Sequence, residues 1–421
     1  MPMNYNFLEN WPFDVLFEAF AQQGEEVYLV GGAVRDLLLG KRPGDWDFTS
    51  SAEPEKIAAI LAEAFPGHNL ILKGKRFGTI GIDLSDADED VSFEITAFRK
   101  EEGYTDGRHP EEVAFQASIF EDVRRRDFTV NGLWMDRHGV IFDAVGGLTD
   151  LKEKNIRCIG QAVNRFDEDR LRKWRCVRFA AQIGGQIEPH TREAIVQNPG
   201  TDGVSLERIQ IELSKMLTGP NAVYAVQELI ATGLWDDLLK RTVSTDLPVV
   251  SKDVADKINA LPRVLPIRLA WLFQDAPADR VGGFLKRLHF SNQVIRQGTM
   301  LSGFDALNCT DMVGFKTALR QMGAPVFEMA LELQKLKKDN AQNCAAFADI
   351  VKNREPILPA DLAISGKDLK ALGFRGRQIG ETIERLMQWV YEAPAYNQRG
   401  ALLKRAVTWL NQENNNEGEQ S

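Results

Sequence analysis

Two rhythms of apolar and polar positions run along this chain and divide it. As far as residue 150, apolar residues come mainly in short runs of strand length, broken by Gly, Pro and Asp. From Leu151 onward they recur every three or four residues, the helical interval, almost to the end. The first part opens with an amphipathic stretch, residues 4–23, that reads as a helix. Val27–Val30 is a strand-length run stopped by Gly31-Gly32, and Ala33–Leu39 is one or two helical turns. Gly40, Pro43 and Gly44 force a turn before a second strand beginning Asp45-Trp46-Asp47-Phe48. Ser51, Pro54 and Glu55 start a further helix, Leu70–Asp83 reads as a hairpin, and Val91–Phe98 as another strand. Residues 99–113 are charged, Gly-containing and without period, which predicts a mobile loop.

In the helical part the richest segment is Phe166–Phe179. Asp167 or Glu168 suits a helix start, and Leu171, Trp174 and Val177 form an apolar stripe. Asp169, Arg172, Arg175 and Arg178 are also three apart. Each step turns the helix by about -60°, so neighbours share a face while the first and last do not. Residues 201–217 predict a capped helix, with Ser205 three residues before Arg208. Residues 220–345 carry amphipathic helices without a chemical motif, and prolines at 248, 262 and 266 mark short connections. The polar run 412–421 predicts disorder.

A length of 421 residues implies more than one domain, and 44% hydrophobic with 26% charged residues is ordinary for a globular protein. No apolar run approaches the ~20 residues that span a bilayer, and the N-terminus lacks a basic region followed by an apolar core. Cys158, Cys176, Cys309 and Cys344 form no CxxC pair, which favours reduced thiols in a cytoplasm over disulfides or zinc. A net charge of -9 argues against a polyanionic partner until the clusters are considered: Arg124–Arg126, then a dense run from Arg170 to Arg178.

Candidate chemistry lies first at Gly31-Gly32 and at Asp45 and Asp47. Alternate strand residues face the same way, so the two carboxylates share a face with Trp46 and Phe48 behind them. Such a pair suits Mg²⁺ completed by substrate phosphates, and the glycines allow backbone N–H groups beside a helix start to approach phosphate oxygens. Glu94 shares its strand face with Ser92 and Thr96. It could be a third metal ligand or a base, or an edge-strand glutamate in a surface ion pair.

The order strand, Gly-Gly, helix, turn, Asp-x-Asp strand resembles the nucleotidyltransferases of the DNA polymerase β superfamily. In detail it is similar to the class II branch, the bacterial tRNA CCA-adding enzymes and their poly(A) polymerase relatives. Tyr104, Asp106, Arg108 and Pro110 match a flexible-loop pattern of that branch, which tilts the choice towards addition of all three nucleotides. Arg125-Arg126-Asp127-Phe128-Thr129-Val130-Asn131 matches its Arg-Arg-Asp-Phe-Thr-x-Asn signature. Arg126 could fork onto triphosphate oxygens. Asp127 could orient it or the ribose, and Asn131 could hold a sugar hydroxyl; helix capping is the alternative for both. Phe142–Leu148 resembles an Asp-Pro-Phe-Gly-Gly turn, with Ala144-Val145 in place of Pro-Phe.

Glu168, Asp169 and Arg172 match the branch's Glu-Asp-x-x-Arg. An accepting Asp beside a donating Arg fits the Watson–Crick edge of cytosine or adenine. Uracil and guanine would leave groups unpaired, at about 1–3 kcal/mol each in a buried site. Arg175 and Arg178 match further arginines, assigned to phosphate or to fixing that pair, and Lys173-Trp174 departs from the usual Met-Leu. Ser205–Leu213 matches a Ser-x-Glu-Arg-Ile-x-x-Glu-Leu pattern, read as support for the base-selecting helix.

The resemblance implies an α/β nucleotidyltransferase head with a polymerase β-like mixed sheet (1–150). An all-α neck (151–240), body (241–350) and tRNA-binding tail (351–411) would follow, with Gly366-Lys367 and Gly373–Gly380 at RNA backbone. It implies transfer from CTP and ATP to tRNA. Asp45 and Asp47 would hold Mg²⁺, Gly31, Gly32, Arg35 and Arg126 the triphosphate, and Asp169 with Arg172 the base. A poly(A) polymerase, a CC-only or A-only enzyme and a non-catalytic tRNA-binding protein are the alternatives.

Overall fold

The computed structural model describes residues 8, 10–72, 78–85, 91–104, 110–115, 118–242, 247, 250–303, 311–337 and 340–418. They form two compact units. One comprises residues up to Thr245 with Arg287–His289, the other Asp246–Lys286 with Phe290 onward.

The first unit begins with α1 (Phe13–Gln22), whose Phe13, Leu16, Phe17 and Phe20 are buried. It is shorter than the stretch 4–23 suggests, since Trp11 precedes a proline and is disfavoured in the helical region. A seven-stranded sheet follows. Its strands are β1 (Val27–Val30), β2 (Trp46–Ser50), β3 (Leu70–Ile71), β4 (Thr79–Asp83), β5 (Ser92–Ala97), and, later in the chain, Leu133–Met135 and Ile141–Asp143. Between β5 and those last two, β6 (Arg99–Tyr104) and β7 (Pro110–Phe115) pair antiparallel. The segment 99–113 is therefore largely a two-stranded ribbon rather than an aperiodic loop. Backbone pairing organises it where side-chain period does not, and Asp106 and Arg108 lie outside the described residues.

With Leu133–Met135 as β8 and Ile141–Asp143 as β9, the sheet order is β3-β4-β5-β2-β1-β8-β9. Only β2 and β5 run parallel, in a register that sets Asp47 opposite Glu94. Leu29, Phe48, Ile80, Ile82 and Ile95 are buried in the sheet. The helices α2 (Gly32–Leu38) and α3 (Pro54–Ala64) contribute Val34, Ile57 and Leu61 to the buried set. α4 (Ile119–Arg124) starts with a Ser118/Glu121 capping box. Asp143 turns the chain into α5 (Gly147–Lys152): its carboxylate accepts from the backbone N–H groups of Val145, Gly146, Gly147 and Leu148.

The predicted single helix over 166–179 is two. α6 (Ala162–Glu168) ends and α7 (Leu171–Ile183) begins, with Asp169 extended between them at φ -143° and ψ 102°. An Asp competes for local backbone donors, and Asp169 Oδ1 accepts from Leu171 N at 3.0 Å, which starts α7 afresh. α7 closes in Gly184 at φ 64°. Asn155–Ile156 (β10) and Gln186–Ile187 (β11) then pair in parallel. α8 (Pro189–Gln197), α9 (Leu206–Leu217), α10 (Ala222–Ala231) and α11 (Leu234–Arg241) complete this unit. α9 starts at Leu206 on the Ser205 cap, five residues later than the window from 201.

The second unit is helical, from α12 (Lys252–Lys257) to α21 (Arg399–Gly418). Leu369, Phe374, Leu386, Val390, Leu402 and Ala406 share one of its buried clusters. The last helix carries the backbone past Gln412 as far as Gly418, so that much of the polar end is helical rather than without structure.

The end of α7 sets a clean stability test. A Cβ on Gly185 would lie 1.9 Å from the Lys154 carbonyl oxygen, which itself accepts from Gln186 N. Backbone cannot move aside cheaply, so Gly185→Ala should cost about 1–3 kcal/mol or more, read as a lower midpoint in urea unfolding.

Candidate active site

A cavity of about 740 Å³ opens in the first unit. Its lining gathers most of the residues singled out from the sequence: Gly31, Gly32, Arg35, Asp45, Asp47, Arg126, Asp127, Asn131, Asp169, Arg172, Arg175 and Arg178. Five separate stretches of chain converge there, the fifth being residues 208–220. Eight cationic side chains against five acidic ones make this wall positive in a chain of net charge -9.

Gly31 links β1 to α2 at φ 66° and ψ -126°, a conformation that favours glycine. A Cβ there would also stand 3.0 Å from Arg126 Nη1, so the glycine lets that guanidinium lie against the turn. Asp45 and Asp47 flank Trp46 at the start of β2 and are both exposed, while Phe48 is buried behind them and Trp46 packs 4.7 Å from the Phe13 ring. Neither carboxylate has a hydrogen bond or ion pair among the described residues. The chain packed around the cavity mouth takes part of the water from the Asp47 carboxyl, exposed though the residue is, and pushes it up; Arg126 opposes this, and Glu94 and Asp45 add to it. Glu94 faces Asp47 across the strand pair but does not line the cavity. Among the described residues no group of three or more His, Cys, Asp or Glu is placed to hold a metal ion. The donor set is therefore two uncommitted carboxylates, which suits a hard divalent cation completed by substrate oxygens.

The arginines are held by a buried network. Arg125 and Arg126 both pair with Asp122, which is fully buried, at 2.6 and 3.0 Å. Arg35 donates to Asn131 Oδ1 at 2.7 Å and to Asp36. Asn131 Nδ2 donates to Asp127 Oδ1 at 3.0 Å, and Asp127 Oδ2 accepts two bonds from Arg175, at 2.8 and 2.6 Å. Asp127 thus orients Arg175 rather than Arg126. Burial works against its charge, but Arg175, Asn131 and Arg172 together hold its carboxyl down at about 2.

The geometry differs from the sequence reading at the base-selecting pair. Both residues line the cavity, but Asp169 precedes α7 instead of sharing it with Arg172; the Arg172 N–H donates to the Asp169 carbonyl at 2.9 Å, and each side chain has partners elsewhere. Asp169 Oδ2 accepts from Arg208 of α9 at 3.0 Å. Arg172 donates to Glu168 at 2.6 Å and to the carbonyls of Arg165 and Arg125 at 3.0 Å. The break before α7 takes Asp169 off the helix that carries Arg172, and its side chain reaches α9. Arg178 is bound by Glu212 of α9 and donates to Gln182 at 2.9 Å.

Phe179 was not legible as part of the site. Its ring lies under three guanidiniums, those of Arg178 at 3.9 Å, Arg35 at 4.9 Å and Arg175 at 5.1 Å. Arg208 and Glu212 carried a signal, their i, i+4 spacing on a capped helix.

Residues 27–157 match the family model described as the poly A polymerase head domain. Residues 185–244 match the model described as a probable RNA and SrmB-binding site of polymerase A. A CCA-adding enzyme of Lactobacillus delbrueckii subsp. bulgaricus is 33% identical over 393 residues, covering 92% of this chain and 95% of that one. The CCA-adding enzyme of Bacillus subtilis is 32% identical over 407 residues, covering 94% and 95%. The chain belongs to the CCA-adding enzyme family. A crystal structure of the Bacillus stearothermophilus CCA-adding enzyme in complex with CTP superimposes with a TM-score of 0.76 at 27% identity, over 98% of this chain and all of that one. As in this family, the mixed-sheet head is followed by a mostly helical remainder. Among the described residues no helix is long and apolar enough to cross a membrane.

Within this family member the Asp127 network should show in acid. A carboxyl held below its unfolded value stabilises the fold above about pH 4 and loses that contribution as pH falls towards its folded value. Asp127→Asn should cost about 2 kcal/mol or more at pH 7. The gap from the parent should narrow between about pH 4 and pH 2 in urea unfolding.

Proposed function

We propose that this chain adds C, C and A to the 3′ end of tRNA from CTP and ATP without a nucleic-acid template, and that the cavity beside Asp45 and Asp47 is where it does so. The alignment with CCA-adding enzymes over nearly their whole length supports the reaction. The arrangement that carries the reading is the meeting of an uncommitted aspartate pair, an arginine cluster and the Asp169/Arg172 edge in one cavity. The tRNA 3′-hydroxyl oxygen bonds to the α-phosphorus as the bond to the β-phosphate bridge breaks; the hydroxyl proton passes to solvent and pyrophosphate leaves. Catalysis of this kind is mainly positioning and charge neutralisation.

Gly31, Gly32, Arg35 and Arg126 hold the triphosphate, and Arg175 and Arg178 fix the adjoining wall. Asp45 and Asp47 would hold Mg²⁺, which when bound neutralises charge on the triphosphate and lowers the pKa of the attacking hydroxyl. Asp169 retains lone pairs for the amino group of C or A while keeping its bonds to Leu171 and Arg208. Arg172 supplies the donor side. Glu94, opposite Asp47 on the neighbouring strand, adds its charge to that of the pair. The compartment that fits is the cytoplasm, where tRNA and both nucleotides meet.

Asp45→Ala should abolish incorporation while tRNA binding stays measurable in a filter assay. Asp169→Ala should lose at least about tenfold in preference for CTP and ATP over UTP and GTP, measured as ratios of kcat/KM. Incubating truncated tRNA with each nucleotide alone and sequencing the ends separates CCA addition from CC-only, A-only and poly(A) products; long A tails on any RNA would defeat the proposal.

A further inference from the structure

Lys173 stands between Arg172 and Trp174 on α7, yet it does not reach the cavity. It is 1% exposed, and its Nζ donates to the carbonyl oxygens of Asn198 and Gly200 at 2.6 and 2.7 Å. It makes no ion pair within 4 Å among the described residues. Burial, with Arg170 nearby, pushes its ammonium down to about 8 against the attraction of Asp167, Asp237 and Asp202. A buried cation without a carboxylate partner is an expensive way to fill space that an apolar side chain of the same length would fill. What it gains is a fixed loop.

The loop 198–204 leads into α9. Arg170 Nη1 donates to Asp202 O at 2.9 Å, a second strap from the start of α7. On its far side Thr201 binds Asp237, and Arg241 binds Thr201 and the Val204 carbonyl. Ser205 then caps α9, whose Arg208 and Glu212 lie one turn apart on the same face and bind Asp169 and Arg178. The position of the loop is therefore the position of the two groups that hold the cavity-side carboxylate and arginine.

We infer that Lys173 is a positioning residue for base selection: by tying the loop 198–200 to α7 it sets Arg208 against Asp169. The inference rests on the proposed function, and it concerns discrimination between nucleotides rather than the transfer step. Small displacements of groups remote from the chemistry are enough for such an effect.

The test compares the parent enzyme, Lys173→Met, Lys173→Arg and Arg170→Ala on tRNA lacking its terminal triplet. The readout is the ratio of kcat/KM for CTP over UTP, with the ratio of the Kd for UTP to the Kd for CTP from calorimetry beside it. Lys173→Met should lower both ratios about tenfold, mainly through a higher KM for CTP, and Lys173→Arg should recover most of the loss. Should Lys173→Met fail to fold, Arg170→Ala, at a half-buried site, should lower the ratios about threefold in the same direction. A Lys173→Met enzyme that melts at lower temperature but keeps both ratios within about twofold of the parent overturns the inference, as does an unchanged Arg170→Ala when Lys173→Met cannot be obtained. A parent that incorporates neither CTP nor ATP refutes the proposed function instead, and the Kd ratios then still report on Lys173.

Discussion

The buried carboxylate of Asp127 is the constraint on which the site depends. One oxygen takes the Asn131 amide and the other takes two bonds from Arg175, while Asn131 in turn accepts from Arg35. A side chain between α4 and β8 is thereby joined to α7, the helix that carries Arg172, Arg175 and Arg178. Of the three guanidiniums over Phe179, Arg35 has Asp36 and Arg178 has Glu212, so it is Arg175 that would lose its carboxylate without that charge. Removing one partner from such a network costs more than any single bond in it, because the remaining charges stay buried.

Charge is distributed with the same economy. The chain as a whole is acidic, and the cavity wall is not. Fields of this kind are local: at physiological ionic strength they fade over about 8 Å. Net charge was thus a weak guide, whereas the runs Arg124–Arg126 and Arg170–Arg178 supply most of the arginines that line the cavity.

Much of the architecture was legible because its cues are local. The Gly-Gly stop, the Asp-x-Asp strand and the change from strand-length runs to helical spacing each speak through neighbours in sequence. The ribbon 99–115 was missed because pairing between two charged segments leaves no period in either. Asp169 was placed on a helix because its spacing from Arg172 is helical, and the break becomes visible only once its side chain is seen capping the next helix. Its partner Arg208 lies 39 residues away. Long-range choices of this sort, like the three guanidiniums over Phe179, are decided by packing that no window of sequence contains.

One small turn shows how a departure from a family pattern is absorbed. Where relatives are expected to have Pro-Phe, this chain has Ala144-Val145, and a ring that would stiffen the bend is gone. Asp143, the Asp that the pattern shares with this chain, holds the bend by collecting four successive amide protons on its two oxygens. The bend is thus held from the side chain before it rather than from within, which frees position 144 to drift in sequence while the path of the polypeptide into α5 stays the same.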